Sequence, residues 1–428
     1  MSGNTRVVIT GMGAVSPLGT GLDAVVAALR EGRSGIRLVE EWRELGFGSQ
    51  VGGLPEAEPE SPLLTRKIEK SSSSTARMCL RAAWEALETA RLPPERIAGS
   101  DTAAIIGSGT GSSIDNFRAC KVVEKAVGQA RATGEPPRTV STRRIHPFTV
   151  PRVMASTASA NLSVALGLRG ESWTVSSACA TGAHAIGMAT RLIRAGLYER
   201  VIAGASDEVD WTRAAAFDAM HALSRGFNDR PEEASRPFAR DRDGFVISGG
   251  AGVLVLESLD AAMRRDAPIL AEVLGFGATS DGHDIVAPLT DGAIQAMRRA
   301  IADAGLSPEE IEYVNAHGTS TPQGDPSEAA AMAAVFGGHQ PWISSTKSTT
   351  GHGIGAAGAL EAIYTLLMLR DGFLAPNRNV TPDTVDEACA GLRLVLEAPN
   401  AIRVRTALSN SFGFGGTNAC LVLRAWDR

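Results

Sequence analysis

The chain has 428 residues, more than one typical domain, and its content of 44% hydrophobic and 21% charged residues is ordinary for a soluble globular protein. Its net charge of −5 gives no general attraction to nucleic acid or to an anionic membrane, and no apolar run is long enough to span a bilayer. The N-terminus enters a strand without a signal-like segment, and five dispersed cysteines without CxxC spacing argue against a disulfide framework. We therefore expect a cytoplasmic protein that contacts neither nucleic acid nor membrane.

Strand-like and helix-like runs alternate along almost the whole chain, which predicts a layered α/β fold. In chain order, the predicted strands cover residues 6–10, 102–106, 173–175, 200–204, 252–256, 269–275, 311–315, 404–408 and 419–423. The predicted helices cover residues 22–31, 75–91, 180–194, 292–304, 327–336 and 356–370.

The alternating pattern restarts near residue 260, so we expect two similar α/β halves, residues 1–260 and residues 261–428. Three segments interrupt the pattern and are predicted to be insertions: 39–66, 111–151 and 205–242. Long excursions from a compact core usually carry lids, substrate surfaces or subunit contacts.

Cys179 lies where the β-favouring stretch at 173–175 runs through small residues into the predicted helix that ends near Arg194. The unpaired N–H groups and the positive dipole end of a helix favour a thiolate there, which makes Cys179 a candidate nucleophile. A free cysteine is as often a small buried hydrophobe. The local sequence leaves these two interpretations open.

Four further segments carry residue types that are suited to chemistry. They are 315–325 with His317 at a strand end, 345–358 with His352 before a helix rich in glycine and alanine, 410–418 with Phe414 among glycines, and 243–252 between a loop and a strand. A lone loop histidine is usually a solvated or capping residue. One cysteine and two histidines at strand–helix junctions of one α/β framework are expected to gather at one edge of its sheet, where sites form.

Two other kinds of site fit less well. A zinc site of Cys179, His317 and His352 would lack any closely spaced ligand pair. A dinucleotide site at Gly11-Met-Gly13 would lack the third glycine of the fingerprint, and Pro17 stands where its helix should begin.

Five motifs, in order, make the chain recognisable: 177–179, 217–224, 315–322, 347–358 and 413–418. With them the chain resembles the β-ketoacyl-[acyl-carrier-protein] synthases, the elongating condensing enzymes, over nearly its whole length. The segment 278–288 looks closest to the type I enzymes.

Neighbouring families match the chain less closely. Type III synthases would have Asn at the position of His352, thiolases would have a second catalytic cysteine in a Cys-x-Gly turn, and a chain-length-factor subunit would lack Cys179. The chain departs from the family pattern at Ala239, where Asp is usual, and in the longer segment 111–150.

The resemblance implies an α/β thiolase-like fold of two duplicated halves in five layers, α-β-α-β-α, and a homodimer. It implies a decarboxylative Claisen condensation in which Cys179 carries the acyl group and His317 and His352 stabilise the malonyl-derived enolate. The backbone N–H groups of Cys179 and Phe414 would form the oxyanion hole, and Phe414 would also act as a gate.

The resemblance assigns supporting roles to other residues. Lys347 and Glu361 would order the site, although Glu361 on the predicted helix 356–370 could also be a surface charge. Thr319 and Thr321 would bind the pantetheine arm.

The partner implied is an acyl carrier protein whose phosphopantetheine carries the substrates, without a separate cofactor or a metal. Carrier proteins are acidic, so we expect a basic docking surface. Its candidate residues are Arg66, Lys67, Lys70, Arg143 and Arg144. A ketosynthase of a polyene or polyketide-type pathway and a non-catalytic heterodimer partner remain as alternatives.

Overall fold

The computed structural model describes residues 5–56, 59–134, 139–398 and 400–426. Within these ranges the β-strands are β1 (Val7–Ser16), β2 (Gly19–Thr20), β3 (Arg37–Leu38), β4 (Val51–Gly52), β5 (Ala103–Gly107), β6 (Ser172–Trp173), β7 (Arg200–Asp207), β8 (Gly250–Ser258), β9 (Ala271–Ser280), β10 (Tyr313–Asn315), β11 (Trp342–Ser344), β12 (Thr406–Gly413) and β13 (Thr417–Ala425).

The α-helices in the same ranges are α1 (Leu22–Glu31), α2 (Glu40–Glu44), α3 (Arg66–Glu69), α4 (Ser74–Thr89), α5 (Ser113–Thr133), α6 (Thr149–Val153), α7 (Thr157–Leu166), α8 (Thr181–Arg194), α9 (Trp211–Ala219), α10 (Leu259–Arg264), α11 (Thr290–Asp303), α12 (Gly324–Phe336), α13 (Lys347–Thr350) and α14 (Ala357–Asp371). Short 3₁₀ helices cover Pro94–Arg96, Thr139–Arg144, Pro231–Glu233, Pro308–Glu310, Ile354–Ala356 and Glu387–Cys389. None of the helices described is both long enough and apolar enough to cross a membrane.

The main sheet consists of two half-sheets with the same strand order and the same directions. In the first, β1 is antiparallel to β8, β8 is antiparallel to β7, and β7, β5 and β6 are parallel. In the second, β9 is antiparallel to β13, β13 is antiparallel to β12, and β12, β10 and β11 are parallel. A short pairing of β1 with β9 joins the half-sheets. The predicted duplication is therefore confirmed, and the boundary at residue 260 stays a prediction.

Helices cover both faces of each half-sheet. Helices α8 and α14 lie against each other between the two half-sheets, with α8 on β5 and β7 and α14 on β8, β12 and β13. Helices α4 and α7 cover the outer face of the first half-sheet, and α11, backed by α12, covers that of the second. The predicted five layers, α-β-α-β-α, are thus present. Because α14 is surrounded by other layers, its side chains are buried from Ala357 to Leu369, which explains why it is apolar on every face.

Paired glycines let helices approach strands and other helices closely. A Cβ atom on Gly11 of β1 would lie 2.0 Å from Ala86 O of α4, and one on Gly275 of β9 would lie 2.1 Å from Ala300 O of α11. Gly13 and Gly277, two residues further on, are equally close to the same helices. The Gly11-Met-Gly13 segment is therefore strand that packs against a helix, as Gly275-Phe-Gly277 does in the second half, and it does not form a dinucleotide-binding loop.

Candidate active site

One pocket of about 420 Å³ brings together residues from both halves of the chain. This volume is typical of small-molecule sites. Its lining includes the predicted site residues Cys179, His317, His352, Thr319, Thr321 and Phe414. Lys347 and Glu361 do not line the pocket and lie buried behind the histidines.

The pocket forms where corresponding junctions of the duplicated halves meet. Cys179 follows β6, while Lys347 and His352 follow β11, the equivalent strand of the second half. His317 follows β10, which is parallel to β11, so both strands end at the same edge of the sheet. The cysteine and both histidines therefore share one pocket, as expected, but they come from strand ends of two different half-sheets and not from one edge of a single sheet.

Cys179 sits in a strained turn just before Ala180, the residue that caps α8. Ala178 has φ of 48°, a left-handed conformation that costs energy for a residue other than glycine and persists only when the surroundings impose it. Ser177 supplies that constraint: its N–H donates to Thr181 Oγ1 at 2.8 Å, and its carbonyl accepts from the Thr417 hydroxyl at 2.9 Å.

The turn is held from two further directions. Ser177 Oγ lies 2.9 Å from Nδ1 of His184 on the next helical turns. A Cβ atom on Gly413 would lie 2.9 Å from the Cys179 backbone nitrogen, so only glycine permits β12 to approach the cysteine this closely. Ser177, His184 and Thr417 were not predicted as supports of Cys179. The contact from Thr417 depends on tertiary packing, whereas the contacts of Ser177 with Thr181 and His184 are local to the start of α8.

Burial is the largest influence on the pKa of the Cys179 thiol. Although the residue is partly exposed at the pocket, burial by the surrounding protein raises this pKa to about 11, above the ordinary value of 9.0. The Lys347 charge and the backbone N–H of Phe414 lower this pKa, but by less than burial raises it. This direction of the pKa favours a thiol at Cys179 at neutral pH, in place of the thiolate that the helix N-terminus led us to expect.

This pKa predicts how Cys179 reacts with iodoacetamide. Because only the thiolate is alkylated, the rate at Cys179 should rise roughly tenfold per pH unit from pH 7 to 10 without reaching a plateau. Cys120, which is exposed on α5, provides an internal comparison in the same sample. Peptide mass spectrometry can follow both cysteines, and a plateau near pH 7 at Cys179 would show that the thiolate is already stabilised.

His317 and His352 face each other in the pocket. Their ring centroids are 5.3 Å apart and their planes are perpendicular. The Lys347 ammonium lies 3.4 Å from Nδ1 of His317. An ammonium can only donate, so Nδ1 of His317 must accept and the ring proton must reside on Nε2.

The backbone holds each histidine in place. The N–H groups of His317 and Gly318 donate to the two carboxylate oxygens of Glu328, at 2.8 and 2.7 Å, and Glu328 also accepts from Asn410 Nδ2 at 3.0 Å. His352 pairs with the strand-like segment beside it: its N–H donates to Val246 O at 2.7 Å.

Both histidines are kept neutral. Burial, together with the positive charge of Lys347, holds the pKa of His317 and of His352 well below the ordinary value of 6.5. A neutral imidazole carries one N–H, so each ring is able to donate one hydrogen bond to an oxygen that gains negative charge. The pair is therefore suited to binding an enolate or another oxyanion.

Lys347 and Glu361 form a buried ion pair behind His317, with side chains 1% and 3% exposed. Burial raises the pKa of Glu361 to about 7, although Lys347 opposes this shift. The side chain of Asn315 donates to the Glu361 carbonyl at 3.3 Å and so ties β10 to α14. Glu361 is consequently not a surface charge, which was the alternative interpretation of its position.

Thr319 and Thr321 present hydroxyl groups 3.0 Å apart at the pocket. Between them Ser320 adopts φ of 69°. This turn is held by Asp325, which is fully buried and accepts from the N–H groups of Ser320 and Thr321 at 3.1 and 3.4 Å. The geometry leaves the two hydroxyls able to bond a polar ligand.

Phe414 lies in the tight turn between β12 and β13, followed by Gly415 and Gly416 with φ of 79° and 64°. Its ring is 6.5 Å from that of Phe217, and its backbone N–H points at the Cys179 sulfur. The turn is tied to the segment 281–289, because the N–H of Gly415 donates to Ile285 O at 2.7 Å.

The five basic residues predicted for carrier docking are exposed and lie outside the pocket lining: Arg66, Lys67, Lys70, Arg143 and Arg144. Arg152 connects their segments, since its Nε donates to Lys70 O at 3.1 Å. No group of three or more His, Cys, Asp or Glu side chains in the described ranges is arranged to hold a metal ion.

The sequence analysis also missed Glu328, Asn410 and Asp325 as supports of the site. One signal was available for Glu328: it is a carboxylate directly before the alanine-rich stretch of α12, and a carboxylate is unusual on the buried side of a core helix.

Comparisons with known proteins agree with this geometry. Residues 4–262 match the family model "Beta-ketoacyl synthase, N-terminal domain", and residues 270–381 match "Beta-ketoacyl synthase, C-terminal domain". The chain is 44% identical over 422 residues to 3-oxoacyl-[acyl-carrier-protein] synthase 1 of Haemophilus influenzae, with 99% of each chain covered.

Two solved structures are similar over the whole chain. A β-ketoacyl synthase from Burkholderia phymatum matches with a TM-score of 0.88 and 36% identity, over 99% of this chain and 100% of that one. The second is the ketosynthase in AntDE:AntF, a type II PKS acyl-carrier protein in complex with its ketosynthase. It matches with a TM-score of 0.85 and 29% identity, over 99% of this chain and 100% of that one. With family models covering both halves, a thiolase-like fold and a cysteine facing two histidines, this chain belongs to the β-ketoacyl synthase family.

Proposed function

We propose that this chain is an elongating β-ketoacyl-[acyl-carrier-protein] synthase that condenses an acyl group with a malonyl group in fatty-acid synthesis. The observation that carries the proposal is the pair of neutral histidines, 5.3 Å apart, in the same pocket as Cys179. A nucleophile for acyl transfer and two donors for an enolate are the groups that this reaction needs.

In the first half-reaction, the Cys179 sulfur attacks the thioester carbonyl of an acyl carrier protein. The new C–S bond forms, the bond to the carrier's pantetheine sulfur breaks, and that sulfur leaves with the proton of the Cys179 thiol. The N–H groups of Cys179 and Phe414 stabilise the oxyanion of the tetrahedral intermediate. Thr319 and Thr321 hold the pantetheine arm through their hydroxyl groups.

In the second half-reaction, malonyl carrier protein binds and its C–C bond to the carboxylate breaks, which releases CO₂. The negative charge moves to the thioester oxygen, where His317 Nε2–H and the ring N–H of His352 donate to it. The enolate carbon then attacks the acyl-cysteine carbonyl, a C–C bond forms, the bond between that carbonyl and the Cys179 sulfur breaks, and the released thiolate takes a proton from water.

Lys347 and Glu361 are positioning residues in this scheme. The Lys347 ammonium holds the proton of His317 on Nε2 and helps to keep both rings neutral, while Glu361 balances its charge inside the protein. Phe414 is the gate: it lies beside Cys179 and its flanking glycines permit the backbone to swing.

The enzyme is proposed to act in the cytoplasm on substrates carried by phosphopantetheine, without a separate cofactor, and to form a homodimer. Strand β6 supports the homodimer, because among the described residues it pairs only with β5 and leaves one edge open. Val164 of neighbouring α7 is 65% exposed. Sedimentation equilibrium should give a mass near twice 44.6 kDa.

Fatty-acid elongation is favoured over a polyene or polyketide pathway, because identity to the 3-oxoacyl synthase of Haemophilus influenzae, 44%, exceeds the 29% to the type II PKS ketosynthase. A non-catalytic heterodimer partner would not need the complete constellation of Cys179, His317 and His352.

The test is a condensation assay with the purified chain, malonyl carrier protein and a set of acyl carrier proteins of different chain length. We expect β-ketoacyl carriers extended by the malonyl-derived unit, and an acyl mass on the peptide that contains Cys179. Mass spectrometry detects both. Absence of product and of acylated protein with every acyl carrier in the set would contradict the proposed function.

A further inference from the structure

The inserted segment 111–151 has a charge opposite to that of the whole protein. It contains seven arginine and lysine residues and three aspartate and glutamate residues, a net charge of +4, whereas the complete chain has −5. Among the described residues, this positive charge is concentrated on helix α5 and the 3₁₀ helix that follows it. Such local asymmetry indicates an acidic partner more directly than the overall charge does.

Helix α5 is unusually exposed to solvent for a helix of its length. It has 21 residues, none of them buried, and is capped by Ser112 at its start and by Gly134, with φ of 71°, at its end. Its one aromatic anchor on the core is Phe117, packed edge-to-face on Trp211 at 4.8 Å. Because helices in proteins depend mainly on a packed face for stability, a helix of this kind indicates a surface that meets a partner.

Three basic residues of α5 form one exposed stripe, which we call the basic arm: Arg118, Lys121 and Lys125. Their spacing of three and four residues places them on the same side of the helix. Within the described ranges, Arg118 pairs with Asp115 at 3.4 Å and is 69% exposed. The Lys121 ammonium lies 5.2 Å from the Phe117 ring, which holds it near the anchored end of the helix.

The basic arm is continuous with the residues already proposed for carrier docking. Asp115 also approaches Arg152 at 3.9 Å, and Arg152 donates to the carbonyl of Lys70. Helix α5 packs against the 3₁₀ helix Thr139–Arg144, which carries Arg143 and Arg144. One surface therefore carries all three basic groups: the basic arm, Lys67 with Lys70, and Arg143 with Arg144.

We propose that the basic arm docks the acidic surface of the acyl carrier protein and extends the carrier site beyond the pocket mouth. This inference rests on the proposed function. Attraction between exposed charges acts mainly on association, so the arm contributes to capture of the carrier and not to the chemical steps. A second copy of the chain is a poorer occupant, because a two-fold contact that brings the arms together would oppose like charges.

The test compares two triple variants with equal charge change. The first is Arg118→Gln, Lys121→Gln and Lys125→Gln, which keeps good helix formers in α5. The control is Arg264→Gln, Arg298→Gln and Arg299→Gln on the exposed sides of α10 and α11. Each enzyme is assayed with an acyl carrier protein and with a short acyl-pantetheine thioester, at low and at high salt.

We expect the arm variant to lose about tenfold in kcat/KM with the carrier at low salt, through KM, and to approach wild type at high salt, because exposed charges are screened. The pantetheine thioester and the control variant should show wild-type values. Equal kcat/KM of arm variant and wild type with the carrier would overturn the proposal. An equal loss of kcat/KM with both substrates would also overturn it, because that result indicates damage to the fold. A shift of the arm variant to monomers would overturn it as well, because it indicates that the basic arm binds a second copy of the chain. If the wild-type enzyme condenses neither substrate, the proposed function fails instead.

Discussion

A Cys179→Ala variant is expected to lose condensation of acyl and malonyl carriers by more than about 10⁴-fold, because the reaction then has no group to carry the acyl chain. The thermal unfolding midpoint should remain close to that of the wild type, since the lost sulfur opens onto the pocket. Mass spectrometry of the products and of the protein measures both the condensation and the acylation.

A second substitution at the same position separates the half-reactions. Cys179→Gln removes the nucleophile but leaves His317 and His352 in place, so release of CO₂ from malonyl carrier protein should continue. Cys120→Ser, on the exposed surface, is the matched cysteine control and should condense normally. Condensation by Cys179→Ala at a rate near wild type would show that another residue is the nucleophile.

Replacing either His317 or His352 with alanine should slow malonyl decarboxylation by about 10²–10³-fold, the usual cost of one oxyanion donor. Acylation of Cys179 should be affected far less, because its oxyanion is bound by backbone N–H groups. Glutamine in place of His317 keeps an N–H donor near the Nε2 position and should recover part of the rate, whereas alanine should not. His339→Ala, outside the pocket, serves as the control. CO₂ release is the quantity measured.

The pH dependence of malonyl decarboxylation checks the protonation states of His317 and His352. The pKa of each histidine is lowered, so both rings stay neutral as the pH falls through 6.5, the ordinary value at which a histidine would gain its proton. Decarboxylation in the wild type should therefore persist at pH 6, as long as the protein remains folded. Loss of the rate with a midpoint at pH 6.5 would show that the histidines are not shielded as the geometry indicates.

Most of the helices that pack on the sheet were predictable from the sequence because their signals are local, whereas the 21-residue helix α5 lies in the predicted insertion 111–151 and was not predicted. Helix α1 has the predicted bounds, and α4, α11 and α14 end within two residues of theirs, since apolar spacing and glycine caps act over single turns. The short strands β6 and β11 were less predictable. A strand of two or three residues is too short to show a periodicity, and its existence depends on the neighbour with which it pairs.

The candidate residues can be identified from local sequence alone: a cysteine before a helix, two histidines after strands, and a glycine turn around Phe414. Their chemical states depend on the folded chain. Burial among groups distant in sequence raises the pKa of Cys179 against its helix dipole, and Lys347, thirty residues from His317, assigns the proton of that ring. Hydration and charge depend on everything within a few ångströms in space, and most of those neighbours are remote along the chain.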